Sequence, residues 1–290
     1  MIDDPIVTHR SLLFTVAYEM LGSAADAEDV VQESWLRWAD VDHGQIRDPR
    51  AYLIRIVTRQ SLNRMRTIAR QREEYVGEWL PEPLLTTPDI AEDVELAESV
   101  SIAMLTVLET LNPTERAVFV LREVFAAPYE EIAAAIAKTP AATRQIAHRA
   151  RAHVEARRPR MQVTQAEQEA AVERFLAAIQ TGDIDALLGV LAPDVVLVTD
   201  GGGLVSAARR PIEGAERVAK FLSASGKAIP EIVGRTVSLN GAPGLWIDID
   251  GELDTVASLA IEDGRITRIY VIRNPQKLTR LGEETRLNRT

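Results

Sequence analysis

The sequence predicts a multidomain chain of two all-α units followed by an α+β unit, and three observations predict it. Up to about residue 160 the apolar residues recur at three- and four-residue spacing, the period of helices that pack by one face. Within that stretch, 73–98 carries Pro81, Pro83 and Pro88 and the acids Glu73, Glu74, Glu78, Glu82, Asp89, Glu92, Asp93, Glu95 and Glu98, with no Lys or Arg. Such a stretch divides the helical region in two. After Pro193-Asp194 the period shortens to the two-residue alternation of β-branched strands. A chain of 290 residues is long enough for two or three such cores.

Residues 5–39 read as two amphipathic helices. Leu12, Leu13, Val16, Ala17 and Met20 share one face of the first, and Gly22 supplies its C-cap. The second follows Ser23 and spans Ala25–Trp38, with Val30, Val31, Trp35 and Leu36 apolar and Asp26, Glu28, Asp29, Gln32 and Glu33 outward. After a polar loop over 40–49, Pro49 starts a long helix to about Arg72. Leu53, Val57, Ser61 and Met65 fall on one side of it and Arg55, Arg59 and Arg66 on the other. A row of guanidiniums can neutralise successive phosphates and release counterions.

From Gly77 to about Asp89 the prolines exclude regular structure. Fully extended at about 3.3–3.6 Å per residue, a linker of roughly 20 residues spans on the order of 70 Å. Trp79 and Leu80 stand out in it, because a solvated linker has no need of them, and they are expected to anchor on a domain surface. A helix from about Ala91 to Glu109 follows.

Leu111–Glu155 reads as a helix-turn-helix. Glu130–Ala137 is its first helix, with Ile132, Ala133 and Ile136 apolar. Thr139 is the N-cap of the second and Pro140 its first residue. On that second helix Ala142, Ile146 and Ala150 face inward, and Arg144, His148 and Arg151 face outward. Arg, Gln and His are side chains that hydrogen-bond base edges and phosphates in a major groove. A helical hairpin with a solvated basic face gives the same pattern.

The net charge of −10 conceals a division along the chain. Residues 55–72 carry Arg55, Arg59, Arg64, Arg66, Arg70 and Arg72 and no acid; 141–160 carry Arg144, Arg149, Arg151, Arg157, Arg158 and Arg160 against Glu155 alone. Two basic patches flank an acidic strap.

In the last part, Gln165–Thr181 and Ile184–Leu191 read as helices. Val195–Thr199, Ile232–Leu239, Leu245–Ile249, Thr255–Ile261 and Ile266–Ile272 read as strands, with a helix over Gly214–Ser223 and turns at Asn240-Gly241 and Asp263-Gly264. Helices first and a curved antiparallel sheet after them predict an α+β domain with a concave face. Asp248, Asp250, Asp254 and Tyr270 are candidates for a carboxylate base and an enolate donor should the cone be an enzyme or sensor. Asp248 and Asp250 equally fit the wet face of a sheet.

Zero cysteines excludes disulfides, thiol catalysis and thiolate metal sites. His9, His43, His148 and His153 are scattered, so neither a metal nor a cofactor is expected. There is no run of 18 apolar residues and no signal-peptide pattern, so the expectation is a cytoplasmic protein without membrane contact.

The first 155 residues resemble an extracytoplasmic-function (ECF) sigma factor. Asp26-Ala27-Glu28-Asp29-Val30-Val31-Gln32-Glu33 is similar to the region 2.1–2.2 motif that contacts the clamp helices of RNA polymerase β′, which implies a polymerase-binding role for Asp26, Glu28, Asp29, Gln32 and Glu33. Tyr52-Leu53-Ile54-Arg55 through Leu62-Asn63-Arg64-Met65-Arg66 resembles the promoter −10 region, with Asn63 where Asp is commoner. The resemblance implies DNA contacts by Arg55, Arg59, Asn63 and Arg66. Leu111-Asn112-Pro113-Thr114-Glu115-Arg116 through Ala147-His148-Arg149-Ala150-Arg151 resembles region 4, which reads the −35 element and meets the β flap. There it implies contacts by Ala141, Arg144, Gln145, His148, Arg149 and Arg151.

The remainder resembles an ECF group that carries a SnoaL-like (NTF2-like) extension instead of relying on a separate anti-sigma factor. Three segments carry this likeness: Trp79-Leu80-Pro81-Glu82-Pro83-Leu84, Asp200-Gly201-Gly202-Gly203 and Asn274-Pro275-Gln276-Lys277-Leu278. Leu204 departs from it, since relatives often have Lys after the glycines. The expected organisation is a region 2 helical bundle over 1–76, an acidic linker over 77–98, a region 4 helix-turn-helix over 99–160 and a SnoaL-like regulatory cone over 161–290. Trp79, Leu80, Pro81, Asp200, Gly201, Gly202, Gly203, Asn274, Pro275, Lys277 and Leu278 are its interdomain contacts. The expected function is a non-enzymatic sigma factor that binds core RNA polymerase and promoter DNA.

Overall fold

Asp4 and Ser23 mark the starts of the first and third helices. The Asp4 carboxylate accepts the Ile6 N–H ahead of α1 (Pro5–Thr8), and the Ser23 hydroxyl accepts that of Asp26 ahead of α3 (Ala24–Ala39). Between them, α2 (Arg10–Leu21) ends at Gly22 with φ 66°. The computed structural model describes residues 4–87, 90, 93–158, 164–228 and 232–289, so Pro88, Asp89, Ala91, Glu92 and Arg160 lie outside the described residues.

The buried stripe of α3 is Ala27, Val30, Val31, Ser34 and Trp38. Trp35 and Leu36, expected on that stripe, are instead 54% and 65% exposed, because the spacing that continues from Val30 and Val31 lands on Ser34 and Trp38. Helix α4 (Pro49–Glu73) buries Leu53, Val57 and Ser61 as expected.

The helix expected from Ala91 to Glu109 is two helices, α5 (Val94–Val100) and α6 (Ile102–Leu108). Ser101 separates them in an extended conformation; its hydroxyl caps the Met104 N–H and donates to the Glu98 carbonyl. Asn112 and Pro113 start α7 (Pro113–Phe119), and a π turn over Val120–Val124 continues it. Then come α8 (Tyr129–Ile136) and α9 (Pro140–Glu155), the latter capped by Thr139 as its sequence predicts.

The two all-α units share one core. Leu12, Val16, Leu53 and Val57 from the first lie in a single buried cluster with Leu105, Leu108, Val118 and Val120 from the second. This is why α2 is buried almost all the way round.

In the last unit a capping box between Thr164 and Glu167 starts α10 (Gln165–Thr181), which Gly182 closes, and α11 (Ile184–Val190) and α12 (Ala215–Ala228) complete its helices before the sheet ends. The six strands of the sheet are β1 (Leu191–Asp200), β2 (Ile212–Glu213), β3 (Ile232–Leu239), β4 (Ala242–Ile249), β5 (Glu252–Glu262) and β6 (Arg265–Ile272), in the order β2-β1-β6-β5-β4-β3. The sheet is mixed, where an antiparallel one was expected: β1 and β6 pair in parallel. The chain leaves β1, crosses through α12 to the far edge and returns strand by strand, so β6 arrives beside β1 running the same way. Two-residue turns at Asn240-Gly241, Asp250-Gly251 and Asp263-Gly264, all with positive φ, make the three hairpins.

Both faces of this sheet are covered. One packs Leu245, Leu259 and Ile269 against Phe175 of α10 and Val218 of α12. The other packs Val256, Ala260, Tyr270 and Ile272 against Leu80 of the linker and Ile102 and Ala103 of α6. A short helix α13 (Pro275–Leu278) follows the sheet. Among the described residues no helix is long and apolar enough to cross a membrane.

Candidate nucleic-acid interface

The basic residues of α4 divide by direction. Asn63, Arg66 and Arg70 are exposed, with Arg66 Nη1 donating to Asn63 Oδ1 at 3.0 Å, and Arg55 lies over the Tyr52 ring. Arg59 is exposed too but turns toward α8: its Nη2 donates to the Ala134 carbonyl at 2.9 Å and its Nε to that of Ala135 at 3.3 Å. Arg64 and Arg72 turn away from this row. Arg64 donates to Asp26 at 2.6 Å and Asp29 at 2.9 Å, and Arg72 pairs with Glu109 and stacks over the Trp79 ring.

On α9, Ala141, Arg144, Gln145, His148, Arg149 and Arg151 are all exposed on one side, as the helical period requires. Several have acidic partners. Arg144 reaches Glu130 at 3.2 Å, Arg149 reaches Glu115 at 3.9 Å, and Arg151 donates from Nε and Nη2 to both oxygens of Glu123. The two basic faces thus stand with protein carbonyls and carboxylates where phosphate oxygens could go.

On α3, Asp29, Gln32 and Glu33 are exposed, while Asp26 and Glu28 are half-buried and engage Arg64 and Arg10. Exposed Trp35 and Leu36 adjoin this acidic face, an apolar patch rimmed by polar groups of the sort that marks partner contact.

The described part of the linker is folded, and the three signature segments meet on it. Asp200, at the end of β1 and fully buried, accepts the Leu80 N–H at 2.9 Å and Lys277 Nζ at 2.7 Å on one oxygen, and the Tyr75 hydroxyl at 2.5 Å and the Gly202 N–H at 3.0 Å on the other. Lys277 Nζ also donates to the Leu80 carbonyl and lies 3.4 Å from the Trp79 ring centroid. Asn274 donates to the Tyr75 hydroxyl at 2.8 Å. Gly202 has φ 62°, and a Cβ there would lie 2.4 Å from Asn274 Nδ2; one on Gly203 would lie 2.9 Å from Val76 Cβ. Burial draws the Lys277 ammonium down to a pKa of about 8, against the opposing pull of Asp200, and pushes the Tyr75 phenol up. Leu80, Pro81 and Leu278 are buried, Gly201 packs beneath Val205 and Ala207, Pro275 is exposed at the start of α13, and Leu204 is 56% exposed.

Sequence reasoning missed a second junction. The Asn240 side chain donates to the Tyr18 hydroxyl at 2.7 Å and the Val100 carbonyl at 2.8 Å and accepts the Leu84 N–H at 2.9 Å, so one hairpin turn joins α2, α5 and the linker. Beside it Glu82 accepts from Ser23 and from the Ala25 N–H at the start of α3. Buried Glu19 bonds Ser99 at 2.9 Å, and buried Arg116 donates to the Glu19 carbonyl at 2.8 Å and to Glu109 at 2.7 Å. Burial pushes the Glu19 carboxyl up to about 8 and the Arg116 guanidinium down to about 9. The Asn-Gly dipeptide signals only its turn; nothing local to it signals the partners.

The candidates for catalysis do not converge. Tyr270 is on the linker face of the sheet, Asp250 is in a turn, and Asp248 accepts from Trp246 Nε1 at 2.6 Å. Asp254 alone of the four lines the cavity on the other face, paired with Arg273.

Three family profiles match the chain in this order: Sigma-70 region 2 over residues 6–71, Sigma-70 region 4 over 101–154, and the SnoaL-like domain over 172–241. The ECF RNA polymerase sigma factor SigJ of Mycobacterium tuberculosis is 36% identical over 285 residues, covering 93% of this chain and 91% of its own. The chain belongs to the ECF sigma factor family. A probable ECF sigma factor, SigI of the same organism, is 34% identical over 280 residues, covering 95% and 94%. The crystal structure of M. tuberculosis SigJ superposes with a TM-score of 0.75 at 33% identity, covering 95% of this chain and 97% of that one. As an ECF sigma factor with a SnoaL-like extension, the chain serves promoter-specific transcription initiation through its region 2 and region 4 domains.

Proposed function

We propose that this sigma factor is held in a closed arrangement by its own SnoaL-like domain, and that opening frees its two DNA-reading faces. In this reading units 1–76 and 99–160 move relative to one another about linker 77–98, and 161–290 sets how far. The observation that carries it is Asp200, one buried carboxylate bonded at once to Tyr75 at the end of the first unit, to Leu80 of the linker and to Lys277. Arg55, Arg59, Asn63 and Arg66 then read the −10 element, and Ala141, Arg144, Gln145, His148, Arg149 and Arg151 the −35 element. Arg59 supports closure as an off state, because its bonds to α8 carbonyls aim the guanidinium at region 4 rather than along the row of α4. Asp26, Glu28, Asp29, Gln32 and Glu33, beside exposed Trp35 and Leu36, bind the β′ clamp helices, and region 4 meets the β flap. With the brake in the same chain, a separate anti-sigma factor is not needed. The reading includes no catalytic step and a cytoplasmic setting.

The test is a distance distribution between spin labels on α3 and α9, with and without core polymerase, alongside run-off transcription. Trp79→Ala should broaden the distribution in the free protein and alter promoter output. A distribution and output equal to those of the native chain, with the fold intact, would sink the regulatory reading.

A further inference from the structure

The sheet face turned toward α10 and α12 lines a partly open cavity of about 120 Å3, separated by the sheet from the face that meets the linker. Its wall is apolar over most of its extent, with Phe175, Ile179, Leu245 and Ile269 contributing. Its polar groups gather at one end as a connected set. Arg273 donates from Nε and Nη2 to the two oxygens of Asp254 at 2.9 and 2.8 Å and from Nη1 to the Ser206 carbonyl at 2.7 Å, and the Thr255 hydroxyl donates to Asp254 at 2.5 Å. A closed apolar cavity of about 150 Å3 holds a benzene-sized molecule, so this smaller, partly open one seats a ring only with its polar end at the mouth.

Burial works to raise the Asp254 pKa, but the hydrogen bonds of Arg273 and Thr255 and the Arg273 charge hold it below the usual carboxylate range. The carboxylate is therefore ionised and unsuited to serve as a general base near neutral pH. Arg273 uses three of its five N–H groups among the described residues. The cavity rim thus offers donors beside an acceptor, with no net charge.

We propose that this cavity binds a small neutral molecule of ring size whose polar end sets a hydrogen-bond acceptor next to a donor, an amide being the simplest such group. The ring is buried among the apolar residues, the acceptor takes an Arg273 N–H, and the donor bonds Asp254. A carboxylate meets Asp254 with like charge and an ammonium meets Arg273 likewise. A bare hydrocarbon desolvates the ion pair without offering it a partner. The site also touches the linker contacts: the Arg273 backbone N–H donates to the Asp200 carbonyl at 2.7 Å.

The test is ligand-observed NMR titration of the full chain with benzamide, benzoate and toluene. Benzamide should bind saturably, with benzoate and toluene weaker by about five- to tenfold, the worth of one hydrogen bond. Asp254→Asn leaves Arg273 uncompensated and should reverse the order, so that benzoate exceeds benzamide. Ala207→Phe, on the rim loop, should fill the space and abolish all binding, with its fold verified by circular dichroism. Absence of saturable benzamide binding, an unchanged preference in Asp254→Asn, or undiminished binding in folded Ala207→Phe would each overturn the proposal. The Asp254→Asn reversal decides the question even where Ala207→Phe does not fold.

Discussion

Lys277 Nζ sits 3.4 Å from the centroid of the Trp79 ring and 2.7 Å from Asp200, so an ammonium from the C-terminal unit is sandwiched between a linker indole and a buried carboxylate. Removing one partner of a buried pair costs far more than the pair itself contributes, because the other charge stays buried. Lys277→Met keeps the apolar stem and removes the charge. It should lower unfolding stability by about 3–5 kcal/mol in urea melts. A midpoint and slope equal to those of the native chain would mean that Asp200 does not depend on this cation.

Gly202 provides a sharper comparison. Gly202 and Gly251 both have positive φ, but a Cβ at Gly251 meets nothing within 4 Å, whereas one at Gly202 meets Asn274. Gly251→Ala should therefore show only the backbone penalty of about 1–3 kcal/mol. Gly202→Ala adds the clash and should lose measurably more, and the excess should vanish in an Asn274→Ala background. Equal losses at the two glycines would remove the close approach from the account.

The buried Glu19 carboxyl gives a pH dependence whose sign is fixed. Its pKa is about 8 in the closed protein, against 4.5 for an exposed glutamate, so the closed state binds this proton more tightly. Its contribution to closure is fully present below about pH 4.5 and is lost as pH rises through about 8. Ser99, Arg116 and Tyr18 face it, and burial raises the pKa of Glu82, elsewhere in this junction, in the same direction. Lys277 and Arg116, lowered to about 8 and 9, act in the opposite direction at higher pH. Label distances followed from pH 5.5 to 8 should show opening as pH rises, and Glu19→Gln should flatten that response.

Local signals made most of the architecture legible. Gly22, Thr139-Pro140 and Gly182 mark helix ends at the expected positions because capping is chemistry within one turn. Asn240-Gly241 and Asp263-Gly264 mark hairpins for the same reason. The parallel β1–β6 pair was not legible, since it depends on where a crossover returns. Nor was the shared helical core, because Leu12 and Val118 announce only that they are buried, not against what. The anchoring of Leu80 was readable from an apolar residue in an acidic strap. The part of Tyr75 was not, because a tyrosine at a helix end has no distinguishing pattern.

The acidic face of α3 should tolerate reversal without loss of fold. Asp29 is 52% exposed and pairs with a partly exposed Arg64, and exposed pairs contribute about 0–1 kcal/mol. Asp29→Lys with Glu33→Lys should leave the thermal midpoint within a few degrees while weakening binding to core polymerase. The weakening should be greatest at low ionic strength, where surface charge is least screened. Undiminished affinity in a co-purification titration would return the face to plain solvated surface.

On α9, direct base readout and phosphate contact predict different losses. If Arg144 reaches a base edge, Arg144→Ala should cost about 1–3 kcal/mol at one position of the −35 element and relax preference there, leaving other positions unchanged. Arg149 and Arg151 flank it, and a phosphate-contacting arginine removed to alanine weakens every sequence alike and lowers the salt slope by about one unit. The Arg151–Glu123 pair adds a gain-of-function arm. Glu123 takes both donors of Arg151 in the free protein, so Glu123→Gln should release that guanidinium and raise affinity for all duplexes, most at low salt. Fluorescence anisotropy over a salt series, with promoter and scrambled duplexes, separates the cases: Arg144→Ala narrows the gap between duplexes, and Glu123→Gln lifts both together. Promoter-directed transcription that survives alanine at Arg144, His148 and Arg151 together would remove α9 as the recognition helix.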